Sequence, residues 1–163
     1  MNEIFTYREA KPYLQRTKRM LKSVRTLENF ISSSKKDILE FSKIARKTDK
    51  KTAIISFLKK SRGNFEQEYD TYIEKTEASI ARAEHLYHKI THAIQNIPND
   101  TVREILQYYY IEEHTIEDTA DHFAFSLSSI SRYKKAGLVK ITESLFGIII
   151  DDKVPSLLQA SML

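Results

Sequence analysis

Apolar residues recur at steps of three and four wherever a pattern can be read in this chain, the signature of helices that bury one stripe. After Pro12, which a first helical turn tolerates, the positions Tyr13, Met20, Leu21, Val24, Leu27, Phe30 and Ile31 predict an amphipathic helix of about five turns. Ser34 with Asp37 three positions on has a capping-box pattern, which predicts a fresh helix before Ile38, Leu39, Phe41 and Ile44. Asp49 is placed to cap a further short helix carrying Ile54, Ile55, Phe57 and Leu58, and SRGN at 61–64 interrupts the pattern.

The longest periodic run starts at Asn64, with Gln67 three positions on, and continues through Tyr69, Ile73, Thr76, Ile80, Ala83, Tyr87, Ile90, Ile94 and Ile97. Its alternating steps form a coiled-coil-like seam, and a helix over about 65–96 would span roughly 50 Å at the helical rise. Such a seam needs a partner. The partner is either the basic N-terminal helices of the same chain, in an antiparallel helical hairpin, or the same helix of a second subunit. Pro98 in IPND ends the run because a residue before proline is pushed out of the α region, and Asn99 or Asp100 can cap the next helix.

Beyond this linker Val102, Ile105, Leu106 and Tyr109 share one helical face. Thr115 and Asp118 then open a short helix with a capping box, and Ile116, Thr119, Ala120 and Phe123 fall on one side of it. Ser126 is a good N-cap for a last helix over about 127–146. Two helices that cross closely need a small residue in the first and a branched apolar residue in the second, and Ala120 and Ile130 stand ten positions apart in those roles. Ala124 occupies the turn where many such units place glycine, so the turn is either strained or differently shaped.

At 100° per residue, Gly137, Ile141, Lys134, Leu145 and Leu138 fall within about 80° of Ile130 and face inward. Ser128, Arg132, Lys135 and Val139 fall on the opposite side. Ser126, Ser128, Ser129, Ser131, Arg132 and Lys135 are the candidate DNA-binding residues. Arg can bond a guanine edge bidentately, Ser can bond bases or phosphates, and Lys serves phosphates as a point charge.

These breaks divide the chain into a basic and coiled-coil-like helical region over 1–97, a helix-turn-helix domain over 98–147 and an apolar tail over 148–163. That tail could form a short helix after Pro155 or a strand at Ile148–Ile150, and could pack on its own domain or swap into a dimer. Only three Gly and three Pro occur among 163 residues rich in helix formers, so the fold class is all-α. The formal charge of +4 conceals an asymmetry: residues 1–62 carry 17 Lys and Arg against 6 Asp and Glu, and residues 63–113 carry 4 against 10. The basic part could meet phosphates or pair with the acidic segment.

The run REILQYYYIEEHTIEDTADHFAFSLSSISRYKKAGLVKITESLFG, residues 103–147, resembles the C-terminal part of the ArpU and RinA type regulators of phages of Gram-positive bacteria, and more widely region 4 of sigma factors. The likeness rests on Tyr108, Tyr109 and Tyr110 at the end of an apolar helix, on Ser126 leading to Arg132, Tyr133, Lys134 and Lys135, and on trailing Leu138, Ile141 and Leu145. It covers about the last third of the chain. It implies promoter binding that controls phage or prophage late genes, with double-stranded DNA and host RNA polymerase as partners and a homo-oligomer, a dimer favoured. A DNA-packaging subunit and a coiled-coil protein-interaction module without DNA binding are the competing readings.

The absence of Cys removes disulfides, thiolate metal sites and thiol nucleophiles. No phosphate loop, nucleophile elbow or HExxH is present, so no enzyme, cofactor or metal is expected. His85, His88 and His92 share a helix face but lie away from the seam, which suits solvated side chains better than ligands; His114 and His122 read as isolated surface or turn residues. No apolar run is long enough to span a bilayer, and a soluble, cytoplasmic protein is expected.

Overall fold

The computed structural model describes residues 3–47 and 65–151. In chain order they form β1 (Ile4–Thr6), α1 (Tyr7–Lys22), α2 (Val24–Lys47), α3 (Phe65–Gln95), α4 (Asp100–Leu106), a π-helical turn (Gln107–Ile111), α5 (Ile116–Phe123), α6 (Leu127–Phe146) and β2 (Ile149–Asp151). The fold is all-α, with two three-residue strands as its only sheet among the described residues. The helix expected after Asp49, the SRGN interruption, the Asn64 cap and any helix after Pro155 lie outside the described residues.

The first helix begins a turn earlier than Pro12 implies. Thr6 caps it, accepting from the Glu9 backbone N–H at 3.3 Å while the Glu9 carboxylate accepts from the Thr6 N–H at 2.8 Å. Those bonds from Thr6 hold the Glu9 carboxyl below its ordinary pKa. The break between α1 and α2 falls at Ser23, not at Ser34. Ser23 caps α1 at φ −88° and ψ −6°, and its hydroxyl donates to the Met20 carbonyl at 2.7 Å. Ser34 and Asp37 sit inside α2 and start nothing. Nearby Ser33 instead donates back to the Phe30 carbonyl at 3.3 Å, which lets a serine remain within a helix without capping it.

Contacts divide the chain into two compact units elsewhere than at Pro98. One joins the chain up to Arg25 with everything described from Tyr87 onward; the other is Thr26–Leu86. In the second unit α2 and α3 meet through a Lys35–Glu84 ion pair and through the Phe41 and Tyr72 rings, whose centroids are 6.4 Å apart. The lower-numbered residue of α2 meets the higher-numbered residue of α3, so the two run antiparallel there. Phe41, Ile80 and Ala83 are its buried apolar residues among those described.

The first unit is built around α6, whose two sides meet different helices. On one side Ile130 packs with Ile105 of α4 and Ala120 of α5, flanked by Ile116, Phe123 and Tyr133. Gly137 lets α4 approach the same side: a Cβ built on it would overlap Leu106 and come within 2.9 Å of Val102 Cγ1. On the other side Val139 packs with Ala10 and Leu14 of α1 and with Ile148 and Ile150. Thr142 of α6 donates to Thr17 of α1 at 2.8 Å, both side chains fully buried. Tyr13 bridges this cluster edge-on, 5.6 Å from Phe5 and 5.3 Å from Phe146.

The two ends of this unit are tied together. β1 and β2 pair in parallel with Ile4 opposite Ile149 and Thr6 opposite Asp151. The Glu143 carboxylate accepts from the Ile150 N–H at 3.0 Å. Ile149–Asp151 therefore form a strand, close to the one expected at Ile148–Ile150, and Ile148 and Ile150 pack within the unit that holds α6. Gly147 reverses the backbone at φ 64°, a left-handed conformation that suits glycine at a helix end.

Candidate nucleic-acid interface

The site begins with α5. Thr115 and Asp118 form the expected capping box, with the Asp118 N–H donating to Thr115 Oγ1 at 3.1 Å and the Thr115 hydroxyl donating to Asp118 at 2.7 Å. Those bonds hold the Asp118 carboxyl below its ordinary pKa. α5 ends in a tight reversal. The Phe125 N–H reaches the Ala120 carbonyl at 3.0 Å and the Ala124 N–H reaches the Asp121 carbonyl at 3.3 Å, the bond pair of a Schellman motif. Ala124 lies at φ 55° and ψ 40°, so the turn keeps the left-handed shape usual for glycine and Ala bears the strain.

Ser126 then caps α6 in extended geometry, accepting from the Ser129 N–H at 3.2 Å. Its hydroxyl lies 3.1 Å from Ser128 Oγ and 2.9 Å from Ser129 Oγ, and Arg132 donates to Ser129 Oγ at 3.2 Å. Of the six candidate residues, Ser126 and Ser129 are thus engaged in the cap and in orienting Arg132. Ser128, Ser131 and Arg132 are exposed. Leu127, which a helical wheel does not single out, is 50% exposed beside them and offers an apolar group of the kind that meets thymine methyls.

Lys135 does not stand with them in open solvent. It is half-buried, with its ammonium 4.3 Å from the centre of the Tyr7 ring, and Val139 one turn on is buried against α1. A wheel puts both on the free side because it knows only the partner that Ile130 faces. α1 covers the opposite side from Lys135 onward, so that side is open only over the first two turns of α6. Lys134 lies inward as expected, its ammonium 3.4 Å from the centre of the Tyr109 ring.

Before α5 the expected continuous helix is interrupted. α4 stops at Leu106, and Gln107–Ile111 widen into a π-helical turn whose last bond runs from the Glu112 N–H to the Gln107 carbonyl at 3.0 Å. Tyr108 projects from it between two imidazoles, 3.7 Å from His114 and 4.3 Å from His122, both rings nearly parallel to it. These histidines are therefore not isolated; they tie the π turn to α5. A shallow cleft of about 380 Å³ opens beside them, lined by Ile94, Arg103, Glu104, Tyr108 and Phe123 among others. Tyr110 is buried, and burial pushes its phenol up to about 12.

His85, His88 and His92 are not buried, and His92 contacts the Asn96 side chain at 3.0 Å. No group of three or more metal-ligating side chains occurs among the described residues. No helix among them is long and apolar enough to cross a membrane. No family model, curated protein or solved structure matches this chain.

Proposed function

We propose that this chain is a sequence-specific double-stranded DNA-binding regulator that reads its site with the start of α6 and acts on late genes of a phage or prophage, as the resemblance of residues 103–147 implies. The observation that carries the reading is the contrast along α6. Ile130 is fully buried against Ala120 and Ile105 across a three-residue turn, while Ser128, Ser131 and Arg132 stand exposed beside it. In that arrangement the helix is fixed by one side and offers donors with the other, as a helix entering a major groove must. Host RNA polymerase and a second copy of the chain are the proposed protein partners.

The test is selection of bound duplexes from genomic DNA, followed by titration of the recovered site against unrelated competitor at physiological salt. Arg132→Ala is expected to weaken the selected site by about 1–3 kcal/mol and to relax preference at one base position. If no duplex is retained over competitor, the reading is wrong. A protein-interaction role has one observation in its favour: Phe30, Leu39 and Tyr72 of the second unit are 41%, 56% and 43% exposed. A mass measurement separates the assemblies, since a monomer or dimer suits a regulator and a large closed ring suits a packaging subunit.

A further inference from the structure

The side of α6 that would face DNA continues onto α1. Ser128, Arg132, Lys135 and Val139 share that side, and α1 lies on its C-terminal half through the Tyr7–Lys135 contact and the packing of Ala10 and Leu14 with Val139. At 100° per residue Lys11 and Lys18 fall within about 40° of Tyr7 on α1. They therefore share the edge of α1 that carries the Tyr7–Lys135 contact, with Lys11 nearer the start of α6 and Lys18 beside its C-terminal half, next to the Thr17–Thr142 bond. Lys22, Arg8 and Arg19 continue the stripe, and all five cations lie within an arc of about 100°. The opposite edge is different: there Arg16 sits over the Phe146 ring at 5.6 Å and Glu9 is folded back on Thr6.

The stripe is uncompensated. Arg8, Lys11, Lys18, Arg19 and Lys22 are all exposed, and none makes an ion pair among the described residues. Glu9 is the only acidic residue on α1. A solvated face usually alternates signs; this one repeats a single sign from Arg8 to Lys22, roughly 21 Å of helix. One DNA strand presents about six phosphates over that length.

We propose that this stripe of α1 is a second DNA-contacting element, which holds the phosphate backbone flanking the groove entered by α6. It rests on the reading of α6 as a DNA reader. α1 supplies charge without base selectivity, and α6 supplies the selectivity. The buried Thr17–Thr142 bond and the Tyr7–Lys135 contact keep the two in register, so that one duplex meets both.

The experiment is a fluorescence-anisotropy titration of a selected duplex and an unrelated duplex of equal length over a salt series. Lys11→Gln/Lys18→Gln is compared with the parent, with Lys11→Arg/Lys18→Arg and with Lys36→Gln/Lys43→Gln in α2. Removal of two phosphate contacts is expected to lower the slope of log K against log salt by about 1.8, at about 0.9 per contact. Both duplexes should weaken by the same factor, while the arginine pair and the α2 pair keep the parent slope. An unchanged slope in the Lys11/Lys18 variant, with Arg132→Ala still relaxing sequence preference, overturns the role of α1 and leaves the reader standing. An equal loss from the α2 pair overturns it too, because it makes the effect one of net charge. If the parent binds neither duplex, both readings fall.

Discussion

Replacing Ala124 by glycine should stabilise this protein, although it removes a methyl group from the folded chain. At φ 55° the Ala124 Cβ is pressed toward the following carbonyl, which costs an L-residue about 1–2 kcal/mol. Glycine takes the same conformation without that cost, but its freer unfolded chain returns about 0.4–1 kcal/mol. The difference favours glycine by about 0.5–1 kcal/mol, a rise of about 1–4 °C in Tm for a protein of this size. The residue is exposed, so no cavity opens to offset the gain. Urea unfolding of parent and Ala124→Gly at a common m-value measures the difference, and Ala124→Val should lie on the other side of the parent, since a β-branched residue is an outlier there. On the proposed reading, affinity for a selected duplex should stay within about twofold, because the Phe125 to Ala120 and Ala124 to Asp121 bonds are backbone bonds that either residue makes. If Ala124→Gly is neutral or destabilising and Ala124→Val is tolerated, the turn is not left-handed and α5 meets α6 by another path.

Gly137→Ala should destabilise by up to about 2 kcal/mol in chemical unfolding. Overpacking against Leu106 and Val102 costs about 1–3 kcal/mol and helix propensity returns about 1; combined with Leu106→Ala the costs should be less than additive, as for groups sharing one space. Tyr110, with its folded pKa raised to about 12 by burial, contributes stability that is full below the unfolded value near 10 and is lost as pH rises through 12. Between pH 9 and pH 11 the unfolding free energy from urea titrations should therefore fall more for the parent than for Tyr110→Phe, by up to about 1.4 kcal/mol per pH unit.

Much of the fold was legible because it rests on residues near one another in sequence. The seam from Ile73 to Ile97 predicts α3 to within a residue of its observed end at Gln95, and Asn99 caps α4 by accepting from the Val102 N–H at 2.9 Å. The capping box at Thr115, the cap at Ser126 and the Ala120 to Ile130 spacing are equally local. What was not legible depends on choices the pattern leaves open. Serine can end a helix or bond back into it, and nothing around Ser23 and Ser34 distinguishes them until tertiary contacts are made. The π turn adds one residue to the phase between Leu106 and Glu112, which a uniform 100° wheel cannot represent. The parallel pairing of Ile4–Thr6 with Ile149–Asp151 joins segments almost a whole chain apart, and three-residue strands carry no periodicity.

The same limit explains the misplacement of Lys135 and Val139, and it bears on the candidate site itself. A helical wheel divides a helix into inside and outside relative to one neighbour. α6 has two, on nearly opposite sides, and the second comes from the start of the chain. A recognition helix packed on one side only would have a free face about five turns long, set by α6 itself. With α1 in place, the side opposite Ile130 is free only over the turns carrying Ser128, Ser131 and Arg132, and Lys135 marks the boundary under which Tyr7 sits. On the proposed reading few side chains are left to read bases, so affinity for DNA would come mainly from phosphates. The positive charge to meet them would, on that reading, come from the cations of α1, which belong to the same compact unit as α6.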